Sequence, residues 1–186
     1  EENFWKGSSS LSRIVSDLKL KASYAVVGNP VGGFPYLSTF SNRPYGNISG
    51  LGPSLQGNRD LQWERSTKYD IGLEASFLNN RFQFGFDWFL NDINELILNV
   101  PTPPTAGVPN NSISQNIGTQ RNQGLEFNLS GDIYSNKNFR WGFFANFTTV
   151  QNEITSLYSI GEQAINFIPN GNYNLIKVGE SINVIH

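Results

Sequence analysis

Apolar and polar residues alternate with a period of two in five separate stretches of the chain. The clearest stretch is 81–90, RFQFGFDWFL, in which an apolar residue occupies every second position: Phe82, Phe84, Phe86, Trp88 and Leu90. Only Phe89 interrupts the polar positions between them. This period places successive side chains on opposite faces of an extended strand, whereas a helix would spread the aromatics around its circumference. The alternation predicts five strands, at about 17–27, 62–77, 81–98, 116–134 and 139–157.

The predicted connections are long and short in turn. Long loops are expected at 28–61, 99–115 and 158–186, whereas the turns after residues 77 and 134 span only a few residues. Short turns at one end of a sheet and long loops at the other are typical of outer-membrane β-barrels. A structureless loop as long as 28–61 is uncommon in a compact soluble domain. We predict no structure for residues 1–16.

Each predicted strand has an apolar face and a face that carries charge. A row of exposed aromatics would promote aggregation in water, so a second sheet or a bilayer must cover it. Five strands do not supply two such sheets, and they are fewer than the roughly eight strands of the smallest outer-membrane barrels. We therefore expect a piece of a larger wall, with these residues facing lipid: Phe82, Phe84, Phe86, Trp88, Phe139, Trp141 and Phe143. The residues expected to face a polar lumen are Lys68, Asp70, Glu74, Arg81, Asp87, Glu126, Asp132 and Arg140.

Composition narrows the choice of function. Charged residues are 15% of the 186 residues, below the usual roughly 25%, and aromatics are 13%. The net charge of −2 leaves no basic stripe for phosphates, so we expect no nucleic-acid partner. The chain has no cysteine, which excludes disulfides and thiolate chemistry from it, and its one histidine, His186, is the last residue. No apolar run reaches the roughly 18 residues of a membrane helix.

The sequence predicts neither catalysis nor a metal or cofactor. Asp70 and Glu74 share a strand face, but four residues of strand separate them by about 13 Å. That distance exceeds the roughly 5–9.5 Å between the paired carboxylates of glycosidases. The candidate ligand-contacting residues are aromatics of the first long loop, which either stack on sugars, pack against a lid or fold the loop on itself: Phe34, Tyr36, Phe40 and Tyr45.

Five sequence blocks together resemble one family. They are LKLKASYAVVGN (18–29), LQWERSTKYDIGLEASFLNNRFQFGFDWF (61–89), NIGTQRNQGLEFNL (116–129), FRWGFFANFTTVQNEITSL (139–157) and VGESINVIH (178–186). In this order and spacing they resemble the C-terminal barrel part of SusC/RagA-type TonB-dependent transporters of Bacteroidota. The matched motif positions are expected to be structural, setting register, forming a tight turn or lining the lumen: Trp63, Glu64, Asn116, Gly118, Asn122, Gly124, Glu126 and Phe127.

The resemblance implies an all-β fold: about five antiparallel transmembrane strands of a roughly 22-stranded barrel, with short periplasmic turns and long extracellular loops. It implies residence in the bacterial outer membrane and import of a glycan or peptide fragment. The implied partners are the TonB complex and a SusD-like surface lipoprotein. The plug and the TonB box of the family are not in this sequence, and the family pattern continues beyond His186, so we expect either an internal segment or the ordered part of a longer protein. The alternative is a soluble all-β glycan-binding module that uses its loop aromatics as a platform.

Overall fold

A computed structural model describes residues 14–160, 163–170, 174–182 and 184–185. Five long strands dominate it, and their bounds are β1 Val15–Asn29, β4 Glu64–Phe77, β5 Phe82–Pro101, β6 Ser112–Ser135 and β7 Arg140–Ser156. They form one sheet in the order β1-β4-β5-β6-β7, so the strands lie in space in their order along the chain. The expected all-β, antiparallel fold is confirmed.

The connections contain more structure than the sequence predicted. The stretch 28–61 holds a hairpin, and 158–186 holds five short strands, so neither is a plain loop. The short strands are β2 Thr39–Asn42, β3 Leu51–Leu55, β8 Ser159–Ile160, β9 Gln163–Ala164, β10 Phe167–Asn170, β11 Asn174–Lys177 and β12 Val184–Ile185. The stretch 99–115 has two short 3₁₀ turns, Pro104–Ala106 and Pro109–Asn111, and β6 already begins at Ser112 within it. Two to five residues are too few to give a clear period of two, which is why the pattern missed these elements.

The chain divides into two compact units. The first comprises Glu1–Ala25, Lys68–Asn91 and Gln123–Gln151. Its described part consists of portions of the five long strands and the two short turns that join β4 to β5 and β6 to β7. Within this unit the sheet is therefore a single layer.

The two short turns of the first unit have different backbone geometries. After β4, Leu78, Asn79 and Asn80 all adopt left-handed backbone, with φ of 53°, 58° and 63°. Asparagine tolerates this conformation better than most residues. After β6, the side-chain oxygen of Asn136 accepts hydrogen bonds from the backbone N–H groups of Asn138, at 2.9 Å, and Phe139, at 2.7 Å. Such an Asx turn reverses the chain without glycine or proline.

The second unit comprises Val26–Thr67, Asp92–Asn122 and Asn152–His186, and it has a core of its own. In the part of this unit that the structure describes, the buried side chains of the core are Leu96, Leu98, Ile154, Ile168 and Ile176. Ile168 and Ile176 are paired across β10 and β11, so this small sheet covers the apolar residues of β5 and β7. Ile154 is 0% exposed, and burying one such side chain contributes about 1.5–3 kcal/mol.

The described residues contain no helix long and apolar enough to cross a membrane. They also contain no group of three or more histidine, aspartate or glutamate side chains placed to hold a metal ion. His186 and most of the segment 1–16 lie outside the described residues.

Candidate functional site

Aromatic rings contact one another across neighbouring strands of the first unit. The ring centroids of Phe86 and Phe127 are 5.1 Å apart, and Phe127 lies 6.3 Å from Phe147. The ring centroids of Phe82 on β5 and Phe143 on β7 are 6.5 Å apart. The ring of Phe82 lies against Gly131 of the strand between them, where a Cβ would collide with it. These are ordinary distances for aromatic pairs, each worth about 0.5–1.5 kcal/mol beyond burial. The contacts place five of the alternating aromatics on one face of the sheet: Phe82, Phe86, Phe127, Phe143 and Phe147.

The other predicted lipid-facing residues have different surroundings. Trp88 borders an apolar hollow with Tyr24, Tyr69 and Leu90, and the rings of Tyr24 and Tyr69 are 5.2 Å apart. Phe139 packs on Tyr134 at 6.2 Å beside the Asn136 turn. Trp141 is 57% exposed. Phe84 is half-buried and also borders a polar pocket. The assignment of all seven residues to the lipid face remains a prediction.

A cluster of four charged side chains joins β1, β4 and β5, and within it Lys19 Nζ lies 3.7 Å from Glu74 Oε2. The Lys21 ammonium donates to Glu74 Oε1 at 2.8 Å and lies 3.3 Å from Asp87 Oδ1. Gly72 leaves the room for it, because a Cβ at this position would collide with the Asp87 carboxylate and come within 3.0 Å of Lys21 Cε. Together with Asn128 and Asn146, these charged groups line a pocket of about 430 Å³. The pocket gives this part of the sheet a polar, concave surface.

A second charged cluster lies at the start of β7. Arg140 holds Asp132 through two bonds, Nε to Oδ1 at 2.8 Å and Nη2 to Oδ2 at 2.7 Å. Arg81 Nε donates to the backbone carbonyl of Asp132 at 2.6 Å, and Arg81 Nη2 donates to that of Ile133. Five of the eight predicted lumen residues therefore fall into two clusters. Neither cluster contains Lys68, Asp70 or Glu126.

The sequence did not predict the ion pair between Arg121 and Asp92 in the second unit. Arg121 Nε and Nη2 donate to the two oxygens of Asp92 at 2.7 and 2.9 Å. This fork is the strongest common geometry for an arginine and a carboxylate. Both residues were visible in the sequence, but alternation alone does not reveal which residues of two strands stand opposite each other.

The four predicted loop aromatics do not form one platform. Phe34 and Tyr36 meet edge to face at 6.1 Å, and Tyr36 also borders a cleft with Arg59 and Trp63. Phe40 lies on β2, and Tyr45 lies at the hairpin tip, where it pairs with Ile48. All four are exposed, from 44% for Tyr36 to 89% for Tyr45. The sequence pattern did not single out Trp63 as a neighbour of Tyr36.

Glu95 has a left-handed backbone, with φ of 58°, although it lies inside β5. Left-handed backbone within a strand is the conformation of one type of β-bulge, and for a residue other than glycine its strain costs about 1–3 kcal/mol. Two side chains of neighbouring strands supply hydrogen bonds at this point. Asn116 Nδ2 donates to the Glu95 carbonyl at 2.8 Å, and Glu64 Oε1 accepts from the Ile97 N–H at 3.0 Å.

The same two side chains also bind further along the sheet. Asn116 accepts from the Gln62 N–H at 2.8 Å and donates to the Gln62 carbonyl at 2.9 Å. Glu64 Oε2 accepts from Asn29 Nδ2 at 2.8 Å, which links it to the end of β1. Glu64 and Asn116 thus tie β1, β4, β5 and β6 together around the bulge. We refer to these two side chains with Glu95 as the bulge clamp.

A polar groove of about 610 Å³ lies beside the bulge clamp in the second unit. Its polar lining residues are Asn58, Arg59, Asp60, Gln62, Glu95, Gln115, Asn116 and Tyr158. Asn58 is engaged by the backbone, since it donates to the Ser114 carbonyl at 2.9 Å and accepts from the Asp60 N–H at 3.0 Å. Arg59, Asp60 and Glu95 take no part in the ion pairs found among the described residues.

Antiparallel strands in a single sheet layer, with contacting aromatics and separate ion-pair clusters, are typical of a wall segment of an outer-membrane β-barrel. The chain belongs to the TonB-dependent receptor family, because the family model for "TonB dependent receptor-like, beta-barrel" matches residues 1–181. This match, together with a relative named SusC and a solved structure of the RagAB transporter, confirms the resemblance to SusC/RagA-type transporters, and the chain is part of a bacterial outer-membrane barrel. The family is one of transporters and receptors, not of enzymes.

Named relatives support the same family. The chain is 33% identical over 159 residues to TonB-dependent receptor P39 of Formosa agariphila, covering 84% of this chain and 15% of that protein. It is 32% identical over 167 residues to TonB-dependent receptor SusC of Bacteroides thetaiotaomicron, covering 84% of this chain and 16% of that protein. Among solved structures, the RagAB peptide transporter matches with a TM-score of 0.81 and 31% identity, over 95% of this chain and 19% of that one. The chain thus spans less than a fifth of each of these proteins.

Proposed function

We propose that the full-length protein imports a nutrient fragment across the outer membrane with energy delivered by the TonB complex. In this proposal the present chain supplies barrel wall, lumen surface and external loops. Membership of the TonB-dependent receptor family carries the proposal. The two dissimilar surfaces of the sheet support it, since a barrel wall needs one face for lipid and one for water.

The proposed orientation follows from the cost of placing charge in hydrocarbon. The aromatic row of Phe82, Phe86, Phe127 and Phe147 would face lipid, because a lysine or arginine at the bilayer midplane of a barrel costs about 2–4 kcal/mol. The clusters around Lys21 and Arg140 would then face the water-filled interior. A wet interior lets charged groups keep part of their hydration, so such pairs are tolerated without being strongly stabilising.

We propose an oligosaccharide or peptide fragment as the substrate and a SusD-like surface lipoprotein as the partner. The relatives support both parts, because one is named SusC and the structural match is titled as the RagAB peptide transporter. In this scheme the exposed rings of Phe34 and Tyr36 contact either the substrate or the lid formed by the partner. Phe40 and Tyr45 would act separately, nearer the hairpin.

The experiment uses the full-length protein in its native host. Deleting the gene should abolish uptake of a fluorescently labelled mixture of either neutral oligosaccharides or peptides, and loss of TonB should have the same effect. The tagged protein should fractionate with the outer membrane and require detergent for extraction. As a control, re-expression of the wild-type protein should restore uptake. A water-soluble full-length protein, or uptake that persists without TonB, would contradict the proposal.

A further inference from the structure

The polar groove beside the bulge clamp has unused hydrogen-bonding capacity. Its amides Asn58 and Asn116 are held by backbone groups, so they shape the groove rather than serve a ligand. Arg59, Asp60 and Glu95 are outside the ion pairs among the described residues. At about 610 Å³ the groove falls within the usual range of roughly 300–1,000 Å³ for small-molecule sites.

Glu95 is an unexpected residue at this place in β5. Its left-handed backbone would suit glycine without strain, yet the residue at this position, which borders the groove, has a long charged side chain. Strained backbone of this kind persists only where the surroundings over-determine it, and it concentrates at ligand sites. Here Asn116 and Glu64 provide that constraint from β6 and β4.

The groove is richer in acceptors than in donors. The carboxylates of Asp60 and Glu95 are acceptors, and the amides of Gln62 and Gln115 can both accept and donate. Arg59 is the one cation among the described residues that line the groove. Tyr158 adds an aromatic ring that is 38% exposed. This combination suits an oligomer with many hydroxyl or amide N–H donors and a flat surface for the ring.

We infer that this groove is a contact site for the imported oligomer, in which the Glu95 carboxylate accepts hydrogen bonds from ligand hydroxyl or amide groups. Glu64 and Asn116 are positioning residues that hold the Glu95 backbone in the conformation that presents this carboxylate. The inference rests on the proposed import function, because the ligand is the substrate of that import. Saccharides and peptides share the feature that this site would recognise, a series of hydrogen-bond donors, which are hydroxyl groups in a saccharide and amide N–H groups in a peptide.

The test measures uptake kinetics in cells that carry the full-length protein at equal surface levels. Two labelled probes are used: a mixture of neutral oligosaccharides and a tryptic digest of casein. Glu95→Gly keeps the left-handed backbone and removes the carboxylate, while Glu95→Gln keeps the size and removes the charge. Glu153→Gln is the matched control, because Glu153 lies on β7, outside the residues that line the groove.

Both Glu95 variants should raise the half-saturation concentration about tenfold, the size expected for one lost charged hydrogen bond, with little change in maximal rate. Glu153→Gln should match the wild type. Glu64→Ala should also raise the half-saturation concentration, and Glu64→Gln should restore most of it, because an amide oxygen can still accept from Ile97. The probe whose uptake responds identifies the ligand as saccharide or peptide.

The two proposals fail in different ways. If wild-type uptake is TonB-dependent but both Glu95 variants keep the half-saturation concentration of Glu153→Gln, the groove is not a ligand site and the import function stands. If wild-type cells take up neither probe in a TonB-dependent manner, the import proposal is overturned, and the groove proposal falls with it.

Discussion

Asn116 on β6 donates a 2.8 Å hydrogen bond from its side-chain amide to the backbone carbonyl of Glu95 on β5. Two residues further along β5, the Ile97 N–H donates to the carboxylate of Glu64. Left-handed backbone inside a strand changes the direction of its N–H and C=O groups, and these groups are then satisfied by other partners. The two motif residues Glu64 and Asn116 thus have a specific structural role, which refines the general expectation that they set register.

Replacing Asn116 by Asp should weaken the fold of the full-length protein. The change removes the amide donor that serves the carbonyls of Glu95 and Gln62 and brings a carboxylate toward both oxygens. We expect a loss of about 1–3 kcal/mol in the free energy of unfolding, measured by urea titration of the detergent-solubilised transporter. Asn138→Asp, in the exposed Asn136 turn, should change it by less than about 0.5 kcal/mol. If both variants change the free energy of unfolding equally, the hydrogen bonds of the Asn116 amide do not stabilise the fold more than an exposed side chain does.

Glu64 should tolerate Gln better than Ala. Alanine leaves the Ile97 N–H and the Asn29 amide without their acceptor, at an expected cost of about 1–3 kcal/mol in unfolding free energy. Glutamine retains one side-chain oxygen for Ile97 and should recover more than half of this loss. The measurement is the urea midpoint of both variants in the same detergent. A Gln variant as unstable as the Ala variant would show that the negative charge matters more than the hydrogen bond.

Phe84 and Gln83 are adjacent on β5, and the alternation assigns them to opposite faces. Phe84→Lys should block assembly, because a lysine at mid-bilayer on the lipid side of a barrel costs about 2–4 kcal/mol. Gln83→Lys should assemble normally, since its side chain would point into the water-filled interior. The readout is the fraction of heat-modifiable, folded barrel in outer-membrane preparations. Normal assembly of Phe84→Lys with failure of Gln83→Lys would reverse the assignment of the faces.

Gly124 should not accept a side chain. A Cβ there would collide with the Thr149 carbonyl on β7 and approach Phe89 Cζ to 2.6 Å. Overpacking of this kind costs about 1–3 kcal/mol, so Gly124→Ala should lower the urea midpoint of the full-length protein. Gly32→Ala is the matched control, because a Cβ at Gly32 meets no atom within 4 Å. An unchanged midpoint for Gly124→Ala would mean that β7 can move away from β6 at this place.

The sequence predicted the long strands because each carries many alternating positions, as in Phe82 to Leu90. It also predicted that charged residues would share faces. The sequence did not predict which charged residues pair across neighbouring strands, because the alternation is the same for every alignment of one strand with the next. Lys21 therefore joins Glu74 and Asp87 rather than other carboxylates for reasons that lie in the alignment of three strands. The structure also groups Arg81 with Arg140 around Asp132. The numbers of positive and negative residues on a face did not indicate this grouping.

The remaining misses involve backbone geometry and short elements. Glutamate has no preference for left-handed backbone, so nothing in the residue type marks position 95 as a bulge. The core residues Ile168 and Ile176 lie on strands of four residues, too short to show a period. Their burial depends on Leu96 and Ile154, which are distant in the chain. Tertiary contacts decide such elements, and local pattern does not encode them.

The identity of chain order and spatial order among the five long strands has a kinetic consequence. Each of these strands finds its partner in the long strand made just before it, and two of the four junctions are turns of only a few residues. Chains rich in local contacts fold faster than those that must first close long loops. The strands β4 and β5 can thus pair as a hairpin before distant parts of the polypeptide have folded. If the sheet grows by one hairpin at a time, the unpaired backbone groups of each new edge strand are exposed only briefly.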